Sequence, residues 1–114
     1  MARRILLQGT IETLDATETD AASATSLTIV AAVSGQIPHL HGIVISTDTA
    51  GTYSVKIGST TKLTVYLGAN GGYDGKFHPF YLKNNTANEG ISITKPSGAT
   101  ASATCFYTLE PALS

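Results

Sequence analysis

The chain has no tryptophan, one methionine and one cysteine in 114 residues. The lone Cys105 excludes an internal disulfide framework, and a free thiol suits a reducing compartment. Charge is sparse. Asp, Glu, Lys and Arg make up 13% of the chain, about half the usual share of ~25%. Seven cations against eight acids leave a net charge of −1, with no basic patch of the kind nucleic-acid binding needs. Long apolar runs are missing as well. Met1-Ala-Arg-Arg-Ile-Leu-Leu7 opens like a secretory leader, but its apolar run stops at Leu7, short of an h-region. Nothing approaches the ~20 apolar residues of a membrane-spanning helix. The expectation is a soluble protein, made in the cytoplasm, that binds neither nucleic acid nor membrane.

Sequence motifs for chemistry are also scarce. Gly68-Ala-Asn-Gly-Gly-Tyr-Asp-Gly-Lys-Phe-His-Pro-Phe80 has glycines at 68, 71, 72 and 75, and Lys76 is followed by Phe77. Neither phosphate-binding spacing, G-x-G-x-x-G or G-x-x-x-x-G-K-[ST], is met. The stretch instead reads as a glycine-rich connection crossing the end of a sheet, with Asn70-Gly71 as a turn at positive φ. No G-x-S-x-G elbow is present, and the few acids identify no carboxylate pair for glycoside hydrolysis. His39 and His41 fall on one face of an expected strand, and His78 could join them. A zinc site needs three or four ligands, so the two histidines read as a surface or interface pair. Cys105 alternates with Ala101, Ala103, Tyr107 and Leu109, which makes it a buried core thiol. Asn84-Asn85-Thr86 matches a glycosylation sequon but lacks a leader to give it meaning. The residues therefore predict no catalytic centre, no metal and no cofactor: not an enzyme.

What is abundant is threonine, 17 residues, with 10 serines, a composition that favours strand over helix. Apolar or alternating stretches are predicted as strands over 26–33, 39–47, 52–57, 62–67, 77–82 (broken by Pro79), 90–95 and 101–109. Tyr53, Val55 and Ile57 share one face of their strand; Leu63, Val65 and Leu67 share another; Ile91 and Ile93 point inward. Ile43, Ile45 and Phe106 are expected off the core, in need of cover. The pattern indicates an all-β antiparallel sandwich, jelly roll or small barrel. Residues 1–25 differ: two arginines against four acids give −2, whereas residues 26–114 carry +1. The sequence thus divides into an N-terminal arm and connector, 1–25, and a β-sandwich domain, 26–114. The arm's Arg3, Arg4, Ile5, Leu6, Leu7, Ile11 and Leu14 are the candidate partner-binding residues. The rival reading makes residues 5–14 the first strand of the domain.

Leu40 to Leu67, LHGIVISTDTAGTYSVKIGSTTKLTVYL, followed by GANGG, resembles small virion proteins of tailed bacteriophages. The likeness spans residues 38–110 and lies in a strand ending Ser-Thr-Asp-Thr-Ala-Gly, a second strand, a Gly-Ser-Thr-Thr turn and a third strand leading to the glycines. It implies a capsid decoration (cement) protein with a jelly-roll fold. Such a protein is a homotrimer bound to the major capsid protein on the outside of the virion, after synthesis in the bacterial host cytoplasm. The same pattern also suits a tail-fibre or receptor-binding module that recognises glycan. No site residue transfers from the family position by position.

Overall fold

The computed structural model of the protein describes residues 14–20, 25–77 and 81–111. They form eight strands: β1 (Leu14–Asp20), β2 (Ser26–Val30), β3 (Gln36–Thr47), β4 (Gly51–Ile57), β5 (Thr60–Leu67), β6 (Gly72–Lys76), β7 (Ile91–Thr94) and β8 (Ala101–Pro111). Two four-stranded antiparallel sheets result, ordered β1-β8-β3-β6 and β2-β7-β4-β5. The protein is all-β, a sandwich of two sheets, and no helix occurs among the described residues.

Strand alternation builds the core. Tyr53, Val55 and Ile57 on β4 and Ile91 and Ile93 on β7 are fully buried. They meet Leu40, Ile43, Ile45, Ala101, Ala103 and Cys105 from the other sheet. The intervening residues Ser54, Lys56 and Ser92 are more open, as a period of two requires. Burial also pushes the Cys105 thiol up to about 12, so it stays protonated and behaves as a small apolar group.

Three expectations change. Ile43 and Ile45 are core residues, 0% and 1% exposed. The cause is a register shift between Leu40 and Gly42 where β3 pairs with β8. A bulge adds one residue and reverses the alternation, so Leu40, Ile43 and Ile45 all point inward while Val44 points out. The second change lies in the glycine stretch. Its connection is a short turn over 68–71, closed by Gly71 N–H donating to the Gly68 carbonyl at 3.0 Å, with Asn70 at φ 55°. Gly72–Lys76 is then a strand beside β3. A Cβ on Gly72 would run into the Ile45 carbonyl, so glycine permits this close pairing. The third is the polar stretch read as a connector: β1 pairs with β8 along its whole length, Leu14 opposite Tyr107 and Asp20 opposite Ala101. The first sheet therefore begins before residue 26. In the stretch expected as a strand over 77–82, Leu82 forms an isolated bridge to Leu40, and residues 78–80 lie outside the described ones.

Candidate functional site: the outer face of the first sheet

The bulge that buries Ile43 leaves His39 and His41 on the solvent side of β3. β8 alternates in step beside them, placing Phe106, Thr108 and Glu110 on the same face. His39 Nε2 donates to Glu110 Oε1 at 2.6 Å, and His41 Nε2 lies 2.9 Å from Thr108 Oγ1. Tyr81 lies flat over His39, ring centroids 4.3 Å apart and 5° from parallel, and tilts against His41 at 5.4 Å. Lys83 Nζ approaches the same Glu110 oxygen at 3.7 Å. The His39 side chain is 12% exposed. Burial holds its imidazole below the ordinary value, and this outweighs the hydrogen bond and charge of Glu110, which pull the other way; the Lys83 charge adds to the lowering. The ring is therefore neutral at pH 7 and fixed as the Nε2–H tautomer by its carboxylate acceptor.

Further along the face, Phe106 and Val44 stand 39% exposed each. Gly42 sits opposite Phe106, and the space of its missing Cβ is bordered by the Phe106 ring. Ser46, Ser102 and Thr104 complete the face. The result is a flat surface of aromatic and aliphatic side chains among hydroxyls, with Lys83, Glu110, Asp74 and Lys76 at its margins. At the far end of the sheet an open hollow of about 390 Å³ is bordered by Asp48, Asn70, Gly71 and Thr100. Asp48 Oδ1 there accepts from the Thr49 hydroxyl at 2.7 Å and the Thr100 N–H at 2.9 Å. These bonds, Thr49's first, hold the carboxyl below its ordinary value, so Asp48 acts as a brace between the β3–β4 and β7–β8 connections.

Among the sequence candidates, Arg3, Arg4, Ile5, Leu6, Leu7 and Ile11 lie outside the described residues, as does His78. Leu14 opens β1 at the sheet edge. Among the described residues no three His, Cys, Asp or Glu side chains gather as a metal centre would require. Asn84 of the sequon is engaged within the fold: its Nδ2 donates to the Ile57 carbonyl and to Glu89 Oε1, both at 3.0 Å. Reasoning from sequence found the histidine pair but missed Tyr81, Lys83, Thr108 and Glu110. The alternation of 106, 108 and 110 opposite 101, 103 and 105 was the available signal. No family model and no curated protein matches the chain.

Proposed function

We propose that the chain is a structural virion protein, a jelly-roll decoration protein that forms a homotrimer on the outer surface of a phage capsid and binds the major capsid protein. The observation that carries this reading is the strand order. Six of the seven connections pass from one sheet to the other, only the β4–β5 hairpin staying within a sheet. The orders β1-β8-β3-β6 and β2-β7-β4-β5 support two interleaved Greek keys, a jelly roll, the fold implied by the resemblance of residues 40–67.

The outer face of the first sheet supports an adhesive role. Val44, Phe106 and Tyr81 offer apolar contact with few charges to desolvate, the composition of an interface centre. Interfaces of on the order of 1,000 Å², repeated around a symmetric shell, add up by multivalency. Arg3, Arg4, Ile5, Leu6, Leu7 and Ile11 extend the contact as an arm onto a neighbouring subunit or the shell. Light scattering on the purified protein, and its cosedimentation with shells built from the major capsid protein of the same genome, test the reading. A trimer that saturates the shells is expected; a monomer that stays in the supernatant overturns it. Tyr66, 75% exposed on β5, favours a second reading, a tail module whose aromatic stacks on glycan. Binding on a glycan array, abolished by Tyr66→Ala and with no shell binding, would select it.

A further inference from the structure

Lys62 lies near the start of β5, the edge strand of the second sheet, and reaches Asn84 in the connection between β6 and β7. Its Nζ donates to Asn84 Oδ1 at 3.1 Å. On the other side of the same carboxamide, Nδ2 donates to Glu89 Oε1 and to the Ile57 carbonyl, each at 3.0 Å. An amine, a carboxamide and a carboxylate are thus in hydrogen-bonded sequence, and all three residues are partly buried. The framework holds them there. Leu82 pairs with Leu40, Asn88 N–H donates to the Gln36 carbonyl, and Gly58 N–H donates to the Gly90 carbonyl. Asn88 Oδ1 accepts from Gly35 N–H at 2.6 Å. The Glu89 carboxylate fills the space that a Cβ on Gly58 would take. Two reacting groups anchored in this way meet at a high effective concentration.

From this juxtaposition we infer that the chain closes an intramolecular isopeptide bond between Lys62 Nζ and Asn84 Cγ, with Glu89 carrying the proton. The Lys62 ammonium releases one proton to solvent, and the freed lone pair attacks Cγ. A second proton leaves Nζ and is returned through the Glu89 carboxyl to Nδ2. The Cγ–Nδ2 bond then breaks and ammonia departs, taking up the first proton as ammonium. One carbon–nitrogen bond forms and one breaks, so no oxidant, metal or nucleotide is needed. Only the neutral amine attacks, so closure speeds up as pH rises. The product ties edge strand β5 to the β6–β7 connection and survives denaturation. The inference rests on these side chains alone and is independent of the virion reading.

Intact-mass measurement on the full-length protein, aged in mildly alkaline buffer, tests it. The expected wild-type product is lighter by one ammonia and yields a branched tryptic peptide joining Lys62 to Asn84. Lys62→Arg keeps the charge and the hydrogen bond, which guards against simple unfolding, and should lose no ammonia. Glu89→Gln, with folding checked by circular dichroism, should close about a hundredfold more slowly. An unchanged wild-type mass overturns the inference. So does equal ammonia loss from Lys62→Arg, which would mean that an asparagine, Asn70 before Gly71 or Asn84, cyclises onto the backbone.

Discussion

The Tyr53 hydroxyl sits at the end of the core between Thr47 Oγ1 and the Thr49 carbonyl, 2.6 Å from each. Tyr53→Phe takes the donor from the Thr49 carbonyl and the acceptor from the Thr47 hydroxyl at a buried site, and should cost about 1–2 kcal/mol by urea unfolding. The bulge in β3 makes a sharper test, because adjacent residues face opposite ways. Ile43→Ala opens a core cavity and should cost about 2–5 kcal/mol. Val44→Ala should change stability by less than about 0.5 kcal/mol while weakening self-association. His39 gives a pH dependence. Its folded-state value lies below 6.5, so as pH falls through 6.5 the unfolded chain takes up the proton first. Stability is therefore fully present above 6.5 and declines below it, toward the depressed folded value. Thermal melts between pH 7.5 and 5.5 should show this decline in the wild type, and a shallower one in His39→Gln.

Among the strands, β4 and β7 were legible in the sequence because their alternation is strict and their inward residues are large. β1 was not: Asp15-Ala-Thr-Glu-Thr-Asp20 has no bulky apolar residue, and its place is set by backbone pairing with β8. β6 was hidden because Gly72 and Gly75 read as turn residues, whereas here Gly72 lets β6 lie close against β3 and Gly75 leaves room for the Tyr73 ring. A bulge leaves no mark in a hydrophobic pattern, so the facing of Ile43 was misread for a physical reason. The histidine half of the candidate site was visible as His39-x-His41. The other half comes from residues roughly forty to seventy positions away, brought there by sheet topology. Truncation tests the role of β1. Removing residues 1–13 should leave a cooperative melt and reduce trimer formation or shell binding. Removing residues 1–20 strips the edge from β8 and exposes an unpaired strand, a template for aggregation, so that variant should be insoluble or lose its melt.

For the molecule as a whole, the crossing of nearly every connection between sheets has a temporal consequence. The first sheet is ordered β1-β8-β3-β6, so its two earliest strands are joined only through the strand made last. β2 likewise waits for β7 before it pairs. Among the described strands β4 and β5 alone are neighbours both in sequence and in a sheet, so their hairpin can form first as the chain emerges. β7 completes the second sheet and β6 pairs with β3, but β1 stays unpaired and β3 lacks its second neighbour until Ala101–Pro111 has left the ribosome. The arrival of β8 then sets the moment at which the first sheet closes. Closing so many distant pairings at once places refolding in the range of roughly milliseconds to seconds, which stopped-flow circular dichroism can follow in a protein without tryptophan. A chain terminated before residue 101 would leave β1 unpaired and the first sheet split without β8, uncovering core side chains, and such fragments should accumulate as aggregates.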